Sequence, residues 1–236
     1  MSLPEINILP VHEIELKVCD RTIKFVPFTV EQERNILMAL ESNEINDLLN
    51  NYIQILKSCI QDEIDWDNLS TVDFINLIVA IRSKSKGELL ELKNPKCSNC
   101  EKTYDQSFLI EDSIRYKNEK HKKDVIKISD DLTLELKPLD YKFLYNLDKM
   151  KNEIDLYIHS ASYSISKIIY KEKIFKITDI NELKEKIVSK LTLGNLTEIF
   201  KKCKDFITIH LVIDFKCPHC NHQETVDMDN FLKLLK

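Results

Sequence analysis

Two Cys-x-x-Cys pairs, far apart in the chain, restrict the possible folds more than any other feature of this sequence. The first pair is Cys97 and Cys100, the second is Cys217 and Cys220, and 116 residues separate Cys100 from Cys217. A structural zinc site takes four ligands in a tetrahedron, and a CxxC turn supplies two thiolates. A compact zinc ribbon spaces its two pairs by roughly 15 to 20 residues. The sequence therefore predicts that tertiary folding brings both halves of the chain to one structural Zn²⁺ ion, held by these four cysteines.

Redox activity and unmetallated thiols are the alternatives for the two pairs. A redox CxxC motif opens a helix directly after a strand, so that the helix N-terminus lowers the pKa of one thiol, and neither pair precedes a predicted helix in this way. Four cysteine ligands leave no position for water, so we expect a structural rather than a catalytic metal. His219 and His222 are predicted to be solvated neighbours of the site, with replacement of a cysteine ligand as the alternative. Cys19, Cys59 and Cys203 are predicted to be small buried hydrophobic residues.

Composition argues against several functional classes. The 236 residues carry a net charge of -5, whereas a nucleic-acid-binding face needs clustered basic residues. Gly87 and Gly194 are the two glycines of the chain, so GxGxxG, GxxxxGK[ST] and GxSxG are all absent. No apolar run reaches the ~18 residues of a membrane span. The first residues lack the features of a signal peptide, so we expect folding in a reducing cytoplasm, which favours metal-bound thiols over disulfides.

The order of the predicted elements indicates an α+β protein made of two pseudo-repeated halves. Each half is predicted to contain a β-hairpin, several helices and a second hairpin that carries one CxxC pair. Residues 24–28 align without a gap with residues 135–139, and Pro27 and Pro138 take the same place. The predicted domains are residues 1–111, with an N-terminal arm and the first zinc hairpin, and residues 124–236, with the second. Residues 112–123 are rich in Lys, Glu and Asn, and we expect an exposed linker there.

Capping residues and apolar periodicity locate the helices. The predicted N-terminal caps are Thr29 with Gln32, Ser70 or Thr71, Asp140, and Asp179 with Glu182. Long helices are predicted over residues 43–60 and 154–170, a further helix from Asn195, and a short amphipathic helix over residues 230–235. The proline-interrupted arm, residues 2–11, does not favour a helix, and it either packs on its own domain or lies extended along a partner.

No group of residues has the spacing of a catalytic site. His12, His121, His159 and His210 have no partner at a characteristic distance in the sequence. Residues 62–67 include four carboxylates, but the run lacks the glycine turn and spaced ligands of a calcium loop. We interpret it as an acidic loop before the next helix, with binding of a hard cation as the alternative. We therefore expect that the protein is not an enzyme.

Several segments resemble one family of viral proteins. They are residues 23–33, 37–41 and 81–89, together with the two CxxC pairs. This pattern resembles the T-even-like bacteriophage baseplate hub family, whose members are components or assembly factors of the hub at the tip of a contractile tail. The resemblance covers most of the chain; it is most specific in residues 24–33 and 82–88 and weakest across residues 112–200.

The resemblance implies a role in virion assembly without catalysis, and partners among the hub, tape-measure and tail-tube initiation proteins of the phage. It implies a location in the host cytoplasm during assembly or in the tail baseplate of the virion. It leaves open whether the protein stays in the finished particle or leaves as a chaperone.

A zinc-ribbon protein that binds nucleic acid or acts in transcription is the alternative function, because CxxC pairs are common in such proteins. The charges near the two pairs speak against it: lysines at positions 96, 102 and 216 are offset by acidic residues at 101, 105, 214 and 224. The resulting field is weak, so we do not expect nucleic acid as a partner.

Overall fold

The computed structural model describes residues 8–41, 44–93 and 95–227, and for Asp148 the backbone alone. Within these residues helices and strands are mixed, which confirms the predicted α+β class. The predicted helix over residues 230–235 and residues 2–7 of the N-terminal arm lie outside the described residues. Ile8 and Val11 are exposed.

The chain begins with an antiparallel hairpin of β1 (His12–Leu16) and β2 (Arg21–Phe25), in which Ile14 lies opposite Ile23. Ile23 and Phe25 point into the core, as the alternation of the sequence predicts. The turn between the strands is fixed from below by the buried carboxylate of Asp73, which accepts hydrogen bonds from the Val18 and Cys19 N–H groups at 3.0 and 3.2 Å.

Three helices follow the hairpin: α1 (Val30–Glu41), α2 (Ile45–Cys59) and α3 (Thr71–Lys86). Two of the predicted caps are confirmed. Thr29 and Gln32 exchange hydrogen bonds at the start of α1, and the Ser70 side chain accepts from the Asp73 N–H at the start of α3. The apolar faces of these helices pack with the hairpin into the first core, which includes Leu49, Leu56 and Leu77.

After α3 the chain forms a second antiparallel hairpin, β3 (Leu89–Leu92) with β4 (Gln106–Leu109), and its long connection contains Cys97 and Cys100. A single-turn helix, α4 (Ile110–Ser113), leads into β5 (Ile114–Lys117). This strand lies within residues 112–123, where the sequence predicts an exposed linker, and residues 117–120 are exposed. Its alternating apolar residues gain a strand partner near the far end of the chain, which composition could not reveal.

The remaining elements, in chain order, are β6 (Asp124–Lys127), β7 (Leu132–Leu136), a 3-10 helix (Tyr141–Lys149), α5 (Glu153–Ser164), β8 (Ile165–Tyr170), β9 (Lys173–Lys176), α6 (Ile180–Lys186), a second 3-10 helix (Val188–Lys190), α7 (Leu193–Asp205), β10 (Thr208–Lys216) and β11 (Gln223–Asp227). The predicted helix over residues 154–170 is wrong beyond Ser164. Ile165, Ile168 and Ile169 are β-branched, and they pair with β7 instead of continuing the helix.

The strands form two hairpins and two larger sheets. Strands β6, β7, β8 and β9 form one antiparallel sheet in that order, and β11, β10 and β5 form another. The first of these sheets packs on α5, α6 and α7 to form the second core, with Leu134, Ala161 and Ile199 at its centre. A third, smaller apolar cluster joins α3, α4 and β10; its buried members are Val79, Ile110, Leu211, Ile213 and Phe215.

Candidate metal centre

The four cysteines of the two CxxC pairs lie together, and their Sγ atoms are all within 4.8 Å of one another. The Sγ atoms of Cys97 and Cys220 are 3.7 Å apart, and those of Cys100 and Cys217 are 3.6 Å apart. Around a tetrahedral zinc ion with bonds of about 2.3 Å, neighbouring sulfur atoms are about 3.8 Å apart. The cluster therefore has the size of a four-thiolate metal site, although 116 residues separate its two halves in the chain.

The two CxxC turns, residues 97–100 and 217–220, have the same backbone structure. In each turn the N–H of the first cysteine donates to the carbonyl oxygen five residues later, and the N–H four residues later donates back to the carbonyl of the first cysteine, at 2.9 to 3.0 Å. The residue after the second cysteine has a left-handed backbone conformation in both turns, with φ of 58° for Glu101 and 57° for Asn221. This shared fold turns both thiols of a pair to the same side, as a common ligand requires.

Strand pairing and apolar packing bring the two turns together. The first turn is closed by a bridge between Lys96 and Thr103, and the second by the pairing of Lys216 with Gln223 at the end of β10 and β11. Beneath them the third apolar cluster packs the β3–β4 hairpin against β10. The Gln106 side chain donates to the Asp214 carbonyl at 3.2 Å across this junction.

The electrostatics of the cluster favour a cation. Cys97 and Cys217 are almost completely buried, whereas Cys100 and Cys220 are partly exposed. The backbone of His222 and the amide of Asn99 donate to the Cys220 sulfur and lower its pKa to about 6. The backbone of Lys102 lowers the pKa of Cys100, but desolvation and the neighbouring thiols outweigh it and raise that pKa to about 12. Four thiolates this close repel one another, so a bound divalent cation is what allows all four to be ionised together.

The other candidate ligands and cysteines take different positions. Within the described residues the cluster of possible metal ligands consists of the four cysteines, without His219 or His222. Cys59 and Cys203 are buried, as predicted. The prediction for Cys19 is wrong: this residue is exposed because it lies in the turn between β1 and β2.

The acidic loop, residues 62–67 before α3, has three of its four carboxylates in contact with protein donors. Asp62 accepts from the Lys24 N–H at 2.5 Å, and Asp67 forms an ion pair with Lys142 at 2.9 Å. Asp65 accepts from Asn68 at 2.9 Å. These contacts agree with the interpretation as a loop that leads into the next helix.

His210 has partners that the sequence did not reveal. Its Nε2 lies 3.0 Å from the Thr208 hydroxyl, and its Nδ1 lies 3.0 Å from a carboxylate oxygen of Asp227. The spacing of Thr208 and His210 on one strand places them on the same face, but the contact with Asp227 depends on the pairing of β10 with β11. This partly exposed group joins the two strands that carry the second CxxC turn.

The fold and the site together define a class: an α+β protein in which two distant CxxC turns converge on one candidate metal centre. A family model described as T4 bacteriophage base plate protein matches residues 9–236, nearly the whole chain. The chain therefore belongs to this family of phage baseplate proteins, which confirms the resemblance seen in its sequence. None of the curated proteins or solved structures compared with the chain matches it.

Membership of a phage baseplate family suggests a non-enzymatic protein that works among other structural proteins of the phage. Among the residues that the structure describes, every helix is too short or too polar to cross a bilayer.

Proposed function

We propose that this chain is a structural or assembly protein of the baseplate hub in a contractile-tail phage, and that it acts by docking to other phage proteins. The match of the baseplate family model to residues 9–236 carries this proposal. Its partners would be hub, tape-measure or tail-tube initiation proteins. Its place of action would be the host cytoplasm during assembly or the baseplate itself.

The proposal includes a structural Zn²⁺ ion bound by Cys97, Cys100, Cys217 and Cys220. The support is the arrangement of the four sulfur atoms and the matching backbones of the two turns. Such an ion would join the β3–β4 hairpin to the β10–β11 hairpin, at the place where the two halves of the chain meet. Because the ligands come together only in the folded chain, the free energy of zinc binding would add to the free energy of folding.

Zinc content tests the metal site directly. We expect the purified wild-type chain to contain one zinc ion, and the Cys217→Ser variant to contain almost none, measured by elemental mass spectrometry. Loss of the ion should lower the free energy of unfolding by about 3–5 kcal/mol, equal to a fall of about 10 °C in Tm. The matched control is Cys19→Ser, since Cys19 is exposed and outside the cluster. A wild-type chain that takes up no zinc under reducing conditions would contradict the proposed site.

Co-purification tests the role in assembly. A tagged chain expressed during infection should bring down hub, tape-measure or tail-tube initiation proteins, identified by mass spectrometry, while a tagged unrelated phage protein should not. Recovery of the chain alone would contradict the proposal. Analysis of purified virions then separates the two open roles, because a baseplate component is present in the finished particle and a chaperone is not.

The nucleic-acid alternative gains no support from the surface around the site. Lys96, next to the first CxxC turn, forms an ion pair with Glu101 at 3.4 Å, which weakens the positive field there. A gel shift at micromolar protein concentration with a steep dependence on salt would favour this alternative instead.

A further inference from the structure

Strand β9 (Lys173–Lys176) is an exposed edge of the four-stranded sheet. It pairs with β8 on one side, and no strand of the described residues pairs with its other side. All four of its residues are exposed, and the relative accessible surface areas of Ile174 and Phe175 are 67% and 48%. An edge strand presents unpaired N–H and C=O groups that can pair with a strand of another chain.

An apolar groove runs beside this edge, between the β8–β9 hairpin and α6. Its volume is about 690 Å³. Its apolar walls are formed by Leu132, Ile168, Tyr170, Phe175, Leu183 and Ile187. In the strand register Ile168 lies opposite Phe175, on the face that covers the second core, whereas Ile169 lies opposite Ile174 on the other face. An added strand would therefore meet apolar side chains on both of its faces.

The rim of the groove along β9 carries lysines, although the chain as a whole has a net charge of -5. The groove lining also includes Asp179 and Glu182, and Glu182 forms an ion pair with Lys186 at 2.6 Å. Lys173 and Lys176 belong to β9 itself, and Lys190 lines the far side of the groove. These three lysines form no ion pair with the described residues, unlike Lys167 of β8, which binds Glu135 at 2.9 Å. Lys173 and Lys176 are three residues apart, so their side chains lie on opposite faces of the strand, and together they favour a partner with two carboxylates at the same spacing, one toward each face.

We propose that β9 and the adjoining groove bind an extended, acidic segment of another baseplate protein, which adds as a fifth strand to the sheet. Backbone hydrogen bonds to the free edge would hold the segment, an apolar side chain would enter the groove, and carboxylates would pair with Lys173 and Lys176. This inference rests on the proposed docking function, and it names the surface and the chemistry of the partner.

A second copy of the chain is a poor occupant of the same edge. Symmetric antiparallel pairing of two β9 strands places Lys173 of one copy opposite Lys176 of the other, and like charges directly opposite each other destabilise a sheet. Single-stranded nucleic acid would match the charge of the rim, but it offers no backbone partner for a strand edge. An acidic peptide strand satisfies the edge, the groove and the charge together.

Titration with a synthetic peptide tests this inference on the full-length chain. The probe is a peptide of about eight residues, built mainly of valine and leucine with two glutamates three residues apart, and long enough to cover a typical strand. We expect it to bind and to slow hydrogen exchange of the β9 amides. The double variant K173E and K176E should weaken binding by about tenfold, which is about 1.4 kcal/mol. Phe175→Ala should weaken binding without the change of charge.

The matched control is the double reversal K120E and K201E, which changes two exposed lysines away from β9 by the same total charge. It should leave binding nearly unchanged. Equal loss of binding in both double variants, protection of amides outside β8 and β9, or equally tight binding of a peptide with lysine in place of glutamate would overturn the proposal. So would preferential binding of a single-stranded oligonucleotide to the hairpin, or formation of dimers through β9.

The same variants separate this inference from the proposed function. If the wild-type chain brings down baseplate proteins and the β9 charge-reversal variant brings down the same proteins in equal amount, the docking function stands and the β9 surface is wrong. If the wild-type chain brings down none, the docking function fails, and the peptide titration still decides whether β9 accepts an acidic strand.

Discussion

One region of the chain begins with the β1–β2 hairpin and another with the β6–β7 hairpin. The two regions have the same first elements and contacts, but different elements follow. In each, a long helix ends beside the second strand of its hairpin. The Val26 N–H donates to the Cys59 carbonyl at 2.9 Å in the first region, and the Lys137 N–H donates to the Ser164 carbonyl at 2.7 Å in the second. Phe25 forms an isolated bridge with Ile60, and Leu136 pairs with Ile165 in the same way. The relation between the halves as a repeat remains a prediction, and these matched contacts agree with it.

The difference begins with the next residues. In the first region the chain enters the acidic loop after Ile60. In the second region the chain continues after Ile165 as β8 and returns as β9. Carboxylates at 62, 63 and 65 favour solvent, while Ile168 and Ile169 favour a pleated, half-buried strand. Two regions with the same starting geometry therefore gain different sheets because of a few side chains, and only the second region gains the open edge at β9.

The two regions also pack against each other, because the second region contributes a side chain to the first core. Tyr141, from the second region, stacks on Phe74 with ring centroids 4.8 Å apart and is buried in the first core. Across the same junction the Thr71 N–H donates to the Leu139 carbonyl at 2.7 Å, and the Tyr141 N–H donates to the Leu69 carbonyl at 3.1 Å. We therefore expect the regions to unfold together.

Truncation of equivalent residues in the two cores is the strongest test of whether the regions unfold together. Ile23 and Leu134 occupy matching positions in β2 and β7, and both are fully buried. Ile23→Ala and Leu134→Ala should each lower the free energy of unfolding by about 2–5 kcal/mol, because each leaves a cavity. Both variants should keep a single transition, measured by calorimetry and by circular dichroism. Two separated transitions in either variant would show that the regions unfold independently.

The turns of the two hairpins should differ in their dependence on a distant residue. Asp73→Asn removes the charged acceptor of two backbone N–H groups in the first turn, and we expect a loss of about 2–3 kcal/mol in urea unfolding. The second turn is closed locally, by the Leu132 N–H and the exposed Ser129 hydroxyl at 3.1 Å. Ser129→Ala is therefore the matched control, with an expected loss below about 0.5 kcal/mol. Similar losses in both variants would remove this distinction.

The β8–β9 turn, which the first region lacks, should respond to relief of its backbone strain. Lys171 and Glu172 both have positive φ, 48° and 65°, a conformation that favours asparagine and glycine in two-residue hairpins. The double substitution K171N and E172G should stabilise the chain by about 1 kcal/mol, measured by thermal unfolding. Glu172→Ala keeps a Cβ atom and serves as the control, since it should give no gain. A fall in Tm of the double variant would contradict the assignment of this turn.

Acid should weaken the attachment of β8 to β7 by protonating Glu135. Its ion pair with Lys167, which joins β7 to β8, lowers the pKa of Glu135. The stabilisation is therefore present above the unfolded-state pKa of about 4.3 and is lost as pH falls through the lower folded pKa. Glu135→Gln should cost about 0.5 kcal/mol at pH 7, since the pair is partly exposed, and nothing near pH 2.

Asp140 provides a control of opposite sign for this pH dependence. Burial raises its pKa, so its contribution to stability is present below the unfolded-state pKa of about 3.9 and is lost as pH rises through the folded pKa. Asp140→Asn keeps a capping side chain and should be neutral or slightly stabilising at pH 7. A pH profile of unfolding that is the same for both variants would contradict these two assignments.

Local signals in the sequence predicted much of the secondary structure. Thr29, Ser70 and Asp140 each accept a hydrogen bond at the start of a helix, as their position before apolar periodic segments indicated. Asp179 does the same for α6. Each half also contains a β-hairpin, β1–β2 in the first and β6–β7 in the second, as the sequence predicts. These elements depend on residues a few positions apart, so a single sequence carries enough information to place them.

The sequence did not predict the elements that depend on partners far away in the chain. β5 lies in a polar stretch and becomes a strand only because Ile114 reaches Leu211 of β10. β8 has apolar residues at helical as well as strand spacing, and β7 decides between the two. The partners of His210 and the exposure of Cys19 likewise follow from strand pairing and turn geometry.

The sequence by itself determined the two CxxC turns, the family of the chain and most of its capped helices, because ligand spacing and capping are local properties. Only the tertiary structure decided that four sulfur atoms from two distant segments of the chain lie within 4.8 Å of one another. It also decided that Tyr141 completes the first core and that β9 is left as an open edge. These features arise from packing between segments far apart in the chain, and their free energy appears only when the whole chain has folded.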